Sequence, residues 1–298
     1  MSTKIQWADE TWNPIVGCSR TSPGCKNCYA AVAAQSYRLQ QFPQYQKVKD
    51  WDGTVEFVES QLDKPLGWKK PKKIFLSMSD PFHKNVPFEW IERIFSVIEE
   101  TPQHTYQILT KWPHRMIDFF DWYSARCSDH SVDLQWRMPD NVWLGVSCEN
   151  QQTANERIPL LMKIPAKVRF LSCEPLLEPL DLSKFLPIEW SEIAEDWIES
   201  WPGIGSYSTN DYPNWIIAGG ESGAGSRPCH VDWLRDIASQ AQSAKVPVFI
   251  KQLGSNAIAS TPYIDDVANN HYCLKLKDRK GGDINEFPED LKLQQFPN

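Results

Sequence analysis

Three cysteines, Cys18, Cys25 and Cys28, fall within eleven residues of "GCSRTSPGCKNCYA", spaced Cys-x6-Cys-x2-Cys. Thiolates are soft metal ligands, and crowding them into a Gly- and Pro-bearing loop points to a bound metal. Three readings fit. A structural zinc ion wants four closed ligands, so a distant residue such as Cys229 or His230 would have to complete it. Unliganded thiols, packed or reactive, would need no fourth. A [4Fe–4S] cluster on three thiolates leaves one iron open for a small molecule, much as a catalytic zinc site keeps one position open.

Further chemistry-bearing residues close short apolar runs. Ser77, Ser79 and Asp80 end "IFLSMSD", and Thr110 and Lys111 end "YQILTK". Ser147, Cys148 and Glu149 lie in "VWLGVSCEN", and Ser172, Cys173 and Glu174 in "VRFLSCEP". Gly219, Gly220 and Glu221 follow in "WIIAGGESG", and Lys251 and Gln252 in "VPVFIKQLG". Glu149 and Glu174 suit acid–base chemistry, Cys148 hydrogen-atom donation, and His83 proton transfer. Arg227 suits a carboxylate or phosphate. Each has a plainer alternative. Serine and aspartate cap helices, carboxylates pair with lysines, glycines make turns, and cysteines pack in cores.

These runs have the length and near-continuous hydrophobicity of buried parallel strands. "WNPIVGC" (Trp12–Cys18) predicts a weaker first strand, and "TVEFV" another short one. Helices are expected over Tyr29–Phe42, Pro87–Glu100, Pro113–Arg126, Ala154–Met162 and Val231–Ala244. Alternating strands and helices mean a parallel α/β fold. Polar residues at the C-terminal end of nearly every strand favour a partial or full (β/α) barrel over a doubly wound sheet, which gathers its site at one switch point. Residues 1–254 are expected to form the barrel, with an insertion at about 176–214. Residues 255–298 are expected to form a C-terminal extension packed on it.

The 298 residues carry a net charge of −7, which argues against a protein held on DNA by bulk electrostatics but leaves room for a local basic groove. The polar stretch Met1–Glu10 is unlike a signal peptide, and no apolar run approaches the ~18 residues of a membrane span. A cytoplasmic chain with no membrane partner is expected. Its eight cysteines then read as thiols or ligands rather than disulfides. The fourteen tryptophans read as packing.

Three clustered cysteines at the start of a (β/α) barrel resemble the radical S-adenosylmethionine (SAM) superfamily, although the first gap is six residues where the usual superfamily pattern has three. "ADETWNPIVGCSRTSPGCKNCYA", "SMSDPFH", "LTKWPHRM", "NVWLGVSCENQ", "FLSCEPLLEP", "WIIAGGESGAGSRP", "FIKQLG" and "DRKGGDINEFPEDL" occur in one order along almost the whole chain. Together they resemble a phage- and prophage-encoded, radical-SAM-like family of unknown function. The resemblance implies a barrel of the radical SAM type and a [4Fe–4S] cluster on Cys18, Cys25 and Cys28, with SAM chelating the open iron. It implies reductive cleavage of SAM and hydrogen abstraction by the 5′-deoxyadenosyl radical. Ser77, Ser79, Asp80, Thr110, Lys111, Ser147, Gly219, Gly220, Glu221 and Lys251 become candidate SAM contacts. An electron donor such as a flavodoxin or ferredoxin is implied as partner. The phage-type resemblance favours a nucleic-acid base or nucleotide as substrate, in a bacterial host cytoplasm. The competing expectation is a zinc-stabilised nucleic-acid-binding or interaction module without redox chemistry.

Overall fold

A strand buried on both faces needs no solvent side, so continuous apolar runs become parallel strands. The computed structural model describes residues 5–127, 137–187, 212–260 and 271–297. The chain forms two units, Met1–Ser147 with Pro159–Val168, and Cys148–Ile158 with Arg169–Asn298. The expected insertion at about 176–214 falls largely on residues 188–211, outside the described residues.

The first unit begins with β1 (Glu10–Thr11), β2 (Ile15–Val16), α1 (Tyr29–Ala34) and α2 (Pro43–Lys47). It continues through β3 (Glu56–Phe57), α3 (Glu59–Leu62), β4 (Lys73–Phe75), α4 (Phe88–Glu100), β5 (Thr105–Thr110), α5 (Pro113–Cys127) and β6 (Val142–Ser147). β1 pairs with β4, β4 with β5 and β5 with β6, all parallel. The expected first strand is corrected here. The sheet takes Glu10–Thr11, whereas Ile15–Val16 pairs antiparallel with β3. Two residues without an apolar run carry no strand signal, and β1 is defined by its partner: Trp12 N–H donates to the Phe75 carbonyl at 3.0 Å.

α4 starts behind Pro87 and buries Ile91, Ile94, Phe95 and Ile98 at helical spacing. Phe95 meets Phe119 of α5 with ring centroids 5.3 Å apart. Trp12 is fully buried, and its indole N–H donates to the Gln61 carbonyl at 2.7 Å. The helix expected over Tyr29–Phe42 stops at Ala34. Ser36 Oγ donates to the Ala33 carbonyl at 2.6 Å, and Pro43 opens α2.

α6 (Gln151–Leu161) contributes to both units. The second unit then runs through β7 (Val168–Cys173), β8 (Trp215–Gly219), β9 (Cys229–His230), α7 (Val231–Ser243), β10 (Val248–Gln252), β11 (Ala257–Ser260) and β12 (His271–Cys273). β7 pairs with β8 and β8 with β10, again parallel. The C-terminal segment covers the far edge of β10: Ile250 N–H donates to the Leu293 carbonyl at 2.8 Å, and Gln295 N–H to the Val248 carbonyl at 3.0 Å. β11 pairs with β9 and β12 in a small separate sheet.

The fold is therefore a parallel α/β architecture with seven parallel strands among the described residues, four paired in the first unit and three in the second. Within each unit the strands pair in chain order, apart from excursions into the small sheets. Neither shows the reversal of order that makes the switch point of a doubly wound sheet. No described helix is long and apolar enough to cross a membrane.

Candidate functional site

The cysteine segment in the first unit is fastened to the end of β4. Gly17 N–H donates to the Met78 carbonyl at 3.2 Å, and Ser79 Oγ donates to the Gly17 carbonyl at 2.7 Å. Gly17 has φ +93°, and a side chain there would fall on the Thr54 carbonyl and on Val48. Ser19 bridges antiparallel to Asp52, and the Cys18 carbonyl accepts from Gly53 N–H at 3.1 Å. Pro23–Cys25 then forms a tight 3-10 turn, and Cys28 is the residue before α1. Pro23 and Gly24 thus belong to the turn that carries Cys25.

Cys18, Cys25 and Cys28 are all free thiols. Burial raises the pKa of Cys18 well above the ordinary thiol value, followed by the negative charge of Asp80; Cys25 and Cys28 add to it. Asp80, Cys25 and Cys28 therefore each lie within electrostatic reach of Cys18. Among the described residues, no three His, Cys, Asp or Glu side chains converge on a single ion position. Ser22 Oγ lies 3.6 Å from Cys25 Sγ and accepts from Lys111 Nζ at 3.1 Å.

Asp80 links this segment to β5. Its carboxylate accepts from Phe82 N–H at 3.0 Å, Thr110 Oγ1 at 2.7 Å and Lys111 N–H at 2.7 Å. Burial raises its pKa against those hydrogen bonds. Asp80 thus closes a turn onto Phe82 and, with Thr110, braces the ends of β4 and β5. Ser77 Oγ donates to Asn13 Oδ1 at 3.2 Å, and the Ser77 carbonyl accepts from Tyr29 O–H at 2.8 Å. Ser147 is buried at the end of β6.

His83 is fully buried behind the cysteine segment. Asn85 N–H donates to its Nδ1 at 3.2 Å, so the proton sits on Nε2, which donates to Ser19 Oγ at 2.7 Å. Burial pushes its pKa down to about 4, with the charges of Lys84 and Arg115 contributing.

The second unit holds the remaining candidates, and each carboxylate meets a cation. Buried Glu149 pairs with Arg157 at 2.8 Å. Glu174 accepts from Lys251 Nζ at 2.6 Å and from Gln252 Nε2 at 3.1 Å. Glu221 accepts two side-chain bonds from Arg227, from Nη2 at 2.6 Å and Nε at 3.0 Å. Gly219 and Gly220 make room for their own neighbours: a Cβ on Gly220 would meet the Leu253 carbonyl and Cys229. Cys148 is fully buried, and burial pushes Cys173 and Cys229 each up to about 12. Cys229 and His230, the distant zinc ligands considered from sequence, form β9 in this unit.

Sequence reasoning missed Asn13, Ser19 and Ser22. Asn13 Oδ1 accepts from Ser77 N–H and Met78 N–H, both at 2.9 Å, as well as from Ser77 Oγ. The Asn13-Pro14 pair is a turn signal that could have marked it. Ser19 and Ser22 act through partners 64 and 89 residues away, beyond the reach of any local pattern.

No curated protein and no solved structure matches the chain. A family described as Protein of unknown function (DUF5131) matches residues 2–284, and the chain belongs to that family.

Proposed function

We propose that the chain is a radical SAM enzyme on a partial (β/α) barrel, with a [4Fe–4S] cluster held by Cys18, Cys25 and Cys28. The observation that carries this reading is the gathering of three free thiols on one short segment, fastened by Gly17 and Ser79 to the C-terminal end of a parallel strand. When bound, the cluster and SAM supply reductive cleavage of the C5′–S bond and a 5′-deoxyadenosyl radical for hydrogen abstraction.

The chain's own residues provide position. The Pro23–Cys25 turn fixes Cys25, and its carbonyl accepts from Cys28 N–H at 3.4 Å. Ser22 brings a hydroxyl to the Cys25 sulfur, and Lys111 brings positive charge to Ser22. Hydrogen bonds and charge beside cluster sulfurs tune a reduction potential. An electron donor of the flavodoxin or ferredoxin class would serve it. The substrate class is a nucleic-acid base or nucleotide, and the setting is the cytoplasm of a bacterial host.

The test incubates anaerobically reduced protein with SAM and measures 5′-deoxyadenosine. Wild type forms it and Cys25→Ala does not. A Cys25→Ala variant that still cleaves SAM would show that the cysteines are not the ligands.

A further inference from the structure

Residues 11–49, which carry all three cysteines, contain five cations and no Asp or Glu. With a net charge of −7 for the chain, the other residues must total −12. The cations are Arg20, Lys26, Arg38, Lys47 and Lys49, and all are exposed. Lys47 pairs with Glu56 at 3.0 Å, while the other four make no ion pair among the described residues.

The same stretch supplies most of the exposed large hydrophobic residues of the described chain. Tyr37 is 85% exposed, and Tyr29, Val32 and Phe42 are also open. Packing explains the inner side, where Ala30, Ala31, Ala34, Tyr45 and Val48 bury against Val16, Trp51, Val58 and Met78. Nothing in the core explains a tyrosine as open as Tyr37. Glutamines tie the layer together: Gln35 Nε2 donates to the Lys49 carbonyl at 3.0 Å, and Gln40 Nε2 to the Ala34 and Tyr45 carbonyls. Neutral ties leave the cations unneutralised.

We propose that the outer side of residues 20–49 is a docking surface for single-stranded nucleic acid. Unpaired cations beside open aromatic rings are what a strand requires, with phosphates meeting the cations and unstacked bases lying on the rings. A duplex hides its base faces, and six-residue α1 is too short to read a groove as a recognition helix does. The surface belongs to the segment that holds the thiols. It therefore deepens the substrate reading above, on which its link to catalysis rests, whereas binding itself needs no cluster.

The test measures anisotropy of a fluorescein-labelled, mixed-sequence DNA strand of about 12 nucleotides on the full chain, against salt. Three or four phosphate contacts give a log–log slope of about −2 to −3. R38A/K49A makes the slope shallower by about 1.4. Tyr37→Ala weakens binding about tenfold with the slope unchanged. Lys163→Ala, an exposed cation elsewhere in the first unit, behaves as wild type. Absence of binding at low salt, or a slope indifferent to R38A/K49A, overturns the proposal. So does an acidic flavodoxin-type protein that binds through Arg38 and Lys49 where the strand does not. 5′-Deoxyadenosine formation from SAM reports on the cluster separately, so failure of one reading is not failure of the other.

Discussion

Ser79 Oγ donates to the Gly17 carbonyl at 2.7 Å, one residue before the first cysteine. That bond, with the Gly17 amide on the Met78 carbonyl, sets where the cysteine segment leaves the strand end. Gly17→Ala should cost about 2–4 kcal/mol, because positive φ and a blocked Cβ position act together. Ser79→Ala should cost about 1 kcal/mol, one hydrogen bond. Urea titration compares them, and a Gly17→Ala cost no larger than that of Ser79→Ala would mean the segment repacks freely.

His83 makes stability pH-dependent. Folding lowers its pKa from 6.5 to about 4, so between those values the unfolded chain binds the extra proton. The contribution is complete above pH 6.5 and is lost as pH falls to 4. It should amount to about 1–3 kcal/mol. His83→Gln should lose less stability than wild type over that interval. Parallel pH profiles of the two would disprove the burial argument.

Glu149 and Arg157 are a buried pair at 2.8 Å. Arg157→Met takes the guanidinium away from a buried carboxylate and should cost about 3–5 kcal/mol. Adding Glu149→Gln should recover much of that loss. A single-variant cost below about 1 kcal/mol would show that the pair does not hold this region together.

Two glycines of "GGESG" should respond differently. Gly220→Ala forces a side chain onto the Leu253 carbonyl and Cys229, and should cost about 2–4 kcal/mol. Gly223 has φ +105° and open space around it, so Gly223→Ala should cost only the backbone strain of about 1–2 kcal/mol. Equal midpoints in urea would contradict the packing explanation.

The buried strands were legible because their apolar runs are continuous: Thr105–Thr110, Val142–Ser147 and Val168–Cys173 each fall inside or within one residue of the expected run. α4 was legible from Pro87 and its helical spacing. β1 was not, since its two residues become a strand only through β4. The over-long first helix follows from good helix formers between Tyr29 and Phe42, which Ser36 interrupts through its own backbone bond. At the site, the cysteine pattern was visible as spacing. The cation that answers Glu174 was not, because Lys251 lies 77 residues away, whereas Arg157 and Arg227 stand only eight and six residues from Glu149 and Glu221.

The central claim is that Cys18, Cys25 and Cys28 hold an iron–sulfur cluster, and iron content tests it most directly. Anaerobically reconstituted wild type should carry about four irons per chain with broad absorbance at about 400 nm, and C18A/C25A/C28A should carry none. A colourless wild type holding one zinc, or a triple variant that keeps its iron, would contradict the account.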